Sequence, residues 1–213
     1  MLILILGIGL YLSPNIWYRR SPHLEKGSGL ILSFDDGPTE ITKEIGEILF
    51  QKKQSSLFFI IATEASQYVD TLEQLQEWGH EIGYHCYRHV HPLSQSPWKR
   101  YRELVKGYEI LCELGFPPKY YRPCHGFYTL TDMIFIKKYH LKPYHWTSLL
   151  HDWEKPKVSE LVCRMERFEN TDSVLVLHDG SKCAAVPDAY RQIPEVLLEF
   201  LHGGSYERQK ESI

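Results

Sequence analysis

Six polar residues in this chain are of the types that do acid–base and metal chemistry, and five of them end or directly follow a short apolar run. Asp35 and Asp36 follow Leu30 to Phe34, His85 follows Ile82 to Tyr84, Arg122 follows Tyr120 and Tyr121, and His178 follows Val174 to Leu177. His89 completes a His-x-x-x-His pair with His85. Two imidazoles and a carboxylate suit a divalent transition metal that keeps open coordination positions. The four-residue spacing lets both rings face one point if the segment turns helically after its strand. Alone, His-x-x-x-His reads better as two solvated loop histidines. An isolated Asp35-Asp36-Gly37-Pro38 reads better as a turn capping a helix near Thr39. Together they favour a metal site. Polar groups gathered at the carboxyl ends of successive parallel strands are how a (β/α) barrel assembles such a site.

The elements that must position these groups follow from periodicity. Thr39 to Lys53 reads as a helix with Ile41, Ile45, Ile48 and Leu49 on one face, and Leu57 to Ala62 as a buried strand. Gln67 to Trp78 is a second helix stopped by Gly79. Ser96-Pro97 sets an N-cap and first turn for a helix whose stripe runs Tyr101, Leu104, Val105, Tyr108, Leu111 and Cys112, ending at Gly115. Lys119 to Arg122 is a strand, Thr131 to Tyr139 a helix, and Pro143 to Ser148 strand-like. Val158 to Phe168 is helical, Ser173 to Leu177 a strand, and about Ala189 to Leu201 the last helix before Gly203-Gly204. Strands alternating with helices predict an α/β fold with a parallel sheet and helical crossovers.

The 213 residues suit one domain with a single substantial core. A net charge of −3 leaves no electrostatic footprint for nucleic acid. Five cysteines, Cys86, Cys112, Cys124, Cys163 and Cys183, contain no C-x-x-C pair, and the odd count leaves at least one thiol unbridged. Met1 to Leu12 is almost wholly apolar and precedes Arg19-Arg20, shorter than the roughly 20 residues that span a bilayer. The run also lacks a preceding basic segment. A membrane anchor or export signal within residues 1–20 is the favoured reading, with membrane association through residues 1–18 and a membrane-associated or extracytoplasmic location. A packed element of the fold is the alternative. The domain itself is expected over residues 27–202, with a charged tail over 203–213.

The wording of five segments resembles the polysaccharide deacetylase family with the NodB homology domain (carbohydrate esterase family 4). These are Ser33 to Pro38, His85 to His89, Arg122 to Gly126, Leu149 to Trp153 and Val176 to Asp179, beside family motifs of the form T-F-D-D-G-P, H-[ST]-x-x-H, R-P-P-[YF]-G, D-[ST]-x-D-W and L-x-H-D. The resemblance covers roughly Gly27 to Leu201 and implies a distorted, partly open (β/α) barrel. It implies a divalent metal, zinc first and cobalt, nickel or iron(II) as alternatives, held by Asp36, His85 and His89. It further implies Asp35 as general base, Arg122 orienting that base and His178 as general acid. Trp153 and Leu177 would line an acetyl pocket, and the His125 N–H would help bind an oxyanion.

Three departures stand out. Cys86 replaces a Ser or Thr, Cys124-His125 replaces Pro-Tyr or Pro-Phe with groups that could ligate metal, and Leu149-Leu150 replaces an acid and its neighbour. Asp152 is then the one acid of the fourth motif, and the tuning of His178 is weakened or falls to Asp152. The charged tail suggests that the family's closing strand is absent or frayed. The expected activity is metal-dependent removal of N-acetyl groups from amino sugars of a peptidoglycan or chitin-like polysaccharide by a monomer. The rivals are a deformylase or deacetylase on a lipid-linked sugar, and a catalytically silent sugar-binding protein that keeps the metal.

Overall fold

A computed structural model describes residues 28–180 and 186–203. The anchor or signal expected within residues 1–20, the tail and Cys183 lie outside the described residues. Among those described, no helix is long and apolar enough to cross a membrane.

Seven parallel strands make one curled sheet ordered β5-β4-β3-β2-β1-β7-β6. They are β1 (Leu30–Gly37), β2 (Leu57–Ile61), β3 (Glu81–Cys86), β4 (Tyr120–Tyr121), β5 (Lys142–Pro143), β6 (Ser148–Leu149) and β7 (Ser173–His178). The helices are α1 (Thr42–Gln51), α2 (Ala62–Ala65), α3 (Val69–Glu77), α4 (Pro97–Glu113), α5 (Leu130–Tyr139), α6 (Val158–Glu166) and α7 (Ile193–Gly203). The result is the expected distorted, partly open (β/α) barrel. It differs from the sequence reading at short elements. Residues 143–148 split between the ends of two strands instead of forming one, and α2 follows β2 without a break. The 87–91 stretch is irregular, so His85 and His89 converge through a strand end and a bend rather than a helical turn.

Strand alternation divides the sheet into two faces. Leu32, Phe34, Phe58, Ile60, Ile82, Tyr84, Leu175 and Leu177 join the main core under the helices. Leu57, Phe59, Tyr144 and Val174 pack on the concave side. That side is the one on which Ser33, Asp35, His85 and His178 emerge, in step with their strands. Cross-strand register brings the ends together, pairing Asp35 with His178 and Phe34 with Leu177.

Two helix N-termini are set by side chains, the one at Ser96 as the sequence suggested. Ser96 accepts from the Lys99 N–H at the start of α4, and Thr129 and Asp132 form a reciprocal capping box on α5. Asp132 also anchors buried Arg100 and the Tyr121 hydroxyl, which joins α4, β4 and α5 through one carboxylate.

The alternation corrects one expected role. Leu177 has no exposure and belongs to the helical core, whereas Val176, its neighbour, faces the concave side. Leu177→Ala should therefore destabilise the fold by about 2–5 kcal/mol, the range for a buried leucine truncated to alanine. Denaturant unfolding measures it; a loss confined to substrate affinity with unchanged stability would contradict the core assignment.

Candidate active site

Asp35 and Asp36 are adjacent in sequence and yet held in different surroundings. Arg122 Nη1 donates to Asp35 Oδ1 at 2.6 Å, Nη2 donates to Ser33 Oγ at 3.0 Å, and Nε donates to the Tyr144 carbonyl at 3.1 Å. The guanidinium has no exposure and lies 4.0 Å over the Phe59 ring. Gly83 makes room for that ring, because a Cβ there would stand 2.6 Å from a Phe59 carbon. Deleting one partner of such a buried pair costs about 3–5 kcal/mol, since the other charge is left uncompensated.

Asp36 turns the other way, from a backbone with φ of 75°. Neither of its oxygens has a hydrogen-bond partner among the described residues, and its exposure is 2%. Its Oδ1 lies 3.4 Å from His85 Nε2 and 3.2 Å from His89 Nε2. Neither acid caps α1, whose N-cap Ile41 has no side-chain capping bond. The three charged or ionisable neighbours His85, His89 and His178 outweigh burial and lower the Asp36 pKa to about 2.

His85 is oriented from behind. Its Nδ1 is 2.7 Å from the Arg122 carbonyl, so Nδ1–H donates there and Nε2 is presented to Asp36. Burial opposes a charge on this ring, but Cys124, Asp35 and Asp36 together raise its pKa to about 9. Cys124 is buried beside it, and its Sγ and one nitrogen each of His85 and His89 all lie within 4.8 Å of one another. Burial alone would raise that thiol; Cys86, His85 and His89 bring it well below its ordinary value.

These residues fit a divalent cation. Two ligand atoms on a tetrahedral zinc, each about 2.0–2.1 Å from it, stand about 3.3 Å apart. The observed Asp36–His85 and Asp36–His89 separations are 3.4 and 3.2 Å. A buried carboxylate without hydrogen bonds is otherwise costly, and a cation satisfies it.

His178 completes the group from β7. Asp152 accepts from its backbone N–H at 2.7 Å and its Oδ1 lies 2.9 Å from Nδ1, so Nδ1–H donates and Nε2 is the nitrogen on the far side of the ring. Burial works against protonation, and the Asp152 charge and hydrogen bond, followed by Asp36 and Asp35, overcome it and raise the pKa to about 10. Of the two readings left open by the loss of an acid at Leu149, the geometry favours the second, because Asp152 reaches this histidine directly.

A cavity of about 320 Å³ brings together Asp35, Asp36, His85, His89 and His178, under walls of His125, Trp146, Leu149, Trp153 and Val176. Trp153 stands edge-on to His178 with 5.4 Å between ring centres. His125 has a left-handed backbone, φ 56°, and Leu149 is 38% exposed at the rim. A larger open groove of about 700 Å³ beside α4 contains none of the acids and histidines of this group.

Four contributors escaped the sequence reading. Ser33, Tyr144 and Trp146 carry no chemical signature and matter through distant partners. Asp179, raised to about 7 by burial and against its Thr42 hydrogen bond by the nearby Asp36 and Asp35 charges, abuts Gly37, where a Cβ would meet its carboxylate at 2.1 Å.

Asp152→Asn should lower the His178 pKa by about 1–3 units, the size of the effect of an adjacent opposite charge. The sign follows from the raised value: the imidazolium is held up to about pH 10 and lost sooner without Asp152. Imidazole NMR titration of the metal-free protein measures it, and an unmoved titration would remove Asp152 from the account.

A family model described as polysaccharide deacetylase matches residues 25–142, more than half of the chain. A chitooligosaccharide deacetylase of Azorhizobium caulinodans is 28% identical over 157 residues, covering 72% of this chain and 74% of the relative. A peptidoglycan-N-acetylglucosamine deacetylase of Bacillus cereus is 26% identical over 156 residues, covering 71% and 72%. Among solved structures, a family 4 carbohydrate esterase from Streptomyces lividans in complex with acetate superposes with a TM-score of 0.69 at 22% identity, over 83% of this chain and 89% of that one. The chain belongs to the polysaccharide deacetylase family.

Proposed function

We propose that this protein is a metal-dependent hydrolase that removes N-acetyl groups from amino sugars of a peptidoglycan or chitin-like polysaccharide. The observation that carries the reading is one pocket in which two differently held carboxylates, two convergent imidazoles and a histidine held by Asp152 meet. The names of the relatives from Azorhizobium and Bacillus support the same substrate class.

Asp36, His85 and His89 are the residues that would hold the cation, and zinc suits this nitrogen–oxygen set. Bound there, a divalent cation supplies Lewis acidity, polarising an amide carbonyl and acidifying a water molecule. The other steps fall to the protein. Asp35 has Oδ1 fixed by Arg122, which leaves Oδ2 to take a proton from the attacking water. The His125 N–H is the proposed donor to the developing oxyanion. His178, kept protonated by Asp152, delivers the Nε2 proton to the departing sugar amine. Without that proton the nitrogen would have to leave as an anion. Trp146, Leu149, Trp153 and Val176 give the acetyl methyl an apolar surface, a role proposed for them in place of Leu177.

The protein acts as a monomer in this reading. Residues 1–18 are the proposed point of membrane association, outside a catalytic domain over 27–202 and ahead of the tail at 203–213.

Acetate release from chitin oligomers, peptidoglycan fragments and acetylated xylan, compared side by side, tests the reading. The expected result is release from the N-acetylated substrates, reduced about 10²–10⁴-fold in Asp35→Asn, the contribution of a general base. Binding of these sugars with no acetate released from any would identify a silent sugar-binding protein instead.

A further inference from the structure

Cys124 occupies a place that its chemistry makes consequential. The turn Cys124–Gly126 follows β4, which is tied to β3 by the Arg122 N–H to the Tyr84 carbonyl at 3.0 Å. This brings the thiol against Cys86 and Ile61 in a small buried cluster at 1% exposure. Its Sγ lies within 4.8 Å of a ring nitrogen of both His85 and His89. That is at most about 1.2 Å beyond the roughly 3.6 Å that separates sulfur and nitrogen on a tetrahedral zinc with bonds of about 2.3 and 2.0–2.1 Å. A second observation points at the same spot. Asp36, 2% exposed, has two oxygens without hydrogen-bond partners among the described residues, and its Oδ1 lies against the same two imidazoles.

We propose that Cys124 is a fourth protein donor of this metal centre, its Sγ joining Asp36, His85 and His89. The inference rests on the metal-centre reading above and goes past it, since it changes the donor set from nitrogen and oxygen to one that includes sulfur. Ligation requires the thiolate, so the thiol proton passes to solvent as the metal enters. Two consequences follow from the chemistry of the set. A thiolate selects zinc over hard cations such as magnesium and manganese, which oxygen donors suit better. A fourth protein donor also occupies a position that an open catalytic site leaves to water or substrate. Cys124 therefore favours retention of the metal at the expense of turnover.

The test is zinc-edge X-ray absorption on the full chain loaded with one equivalent of zinc, for wild type, Cys124→Ser and Cys86→Ser. The expected spectrum has one sulfur scatterer at about 2.3 Å in wild type and in Cys86→Ser. Cys124→Ser should retain zinc and lose the sulfur. Bound zinc with only nitrogen and oxygen neighbours in wild type would overturn the proposal while leaving the Asp36, His85 and His89 site intact. Sulfur lost in Cys86→Ser and kept in Cys124→Ser would overturn it in favour of the neighbouring thiol. Wild type that retains no zinc would overturn both the proposal and the metal-centre reading. If Cys124→Ser fails to fold, Cys124→Ala takes its place, and sulfur kept beside zinc in that variant would overturn the proposal.

Discussion

A guanidinium with no exposure to solvent must find all its partners inside the protein, and Arg122 as a whole bonds two strands and a loop. Its side chain bonds Asp35 and Ser33 on β1 and the Tyr144 carbonyl just after β5. Its backbone bonds Tyr84 and His85 on β3. Ser33 in turn donates to the Leu175 carbonyl of β7 at 2.8 Å, so the network reaches the strand that carries His178. Charged donors of this kind cannot be left unmatched in a low-dielectric interior. The positions of Asp35, one imidazole and the strand of His178 are thus tied to a single residue.

This arrangement separates two adjacent carboxylates by environment. Arg122 holds Asp35 and fixes one of its oxygens. Asp36 has no such partner and faces imidazoles whose outer nitrogens point at it. Two acids one residue apart point to opposite sides of a strand by default, and β1 ends there with the positive φ of Asp36, which redirects the second acid toward β3. The close approach of β7 at Gly37 and Gly180 depends on missing side chains: a Cβ on Gly180 would stand 2.2 Å from the Asp36 carbonyl.

What the sequence could tell divides along the same lines. Strand ends carrying Asp35, His85, Arg122 and His178 were legible because apolar runs and polar stops are local, and the Ser96 cap because its partner is three residues away. Leu177 was misread because an apolar residue beside a functional histidine looks the same on either face; only the strand register assigns Val176 to the pocket. The bond between Asp152 and His178 spans 26 residues and depends on a short 3₁₀ turn, so the loss of an acid at Leu149 could not be weighed from sequence. The packing of Cys124 against Cys86 is likewise a product of β3 and β4 lying side by side.

The central claim is that one carboxylate of the pair binds the cation and the other does not. Calorimetric titration of zinc into wild type, Asp35→Asn and Asp36→Asn tests it most directly. The account predicts an affinity close to wild type for Asp35→Asn and a loss of at least about tenfold for Asp36→Asn, because only the second change removes a ligand. Equal affinities for the two variants, or the reverse order, would contradict it.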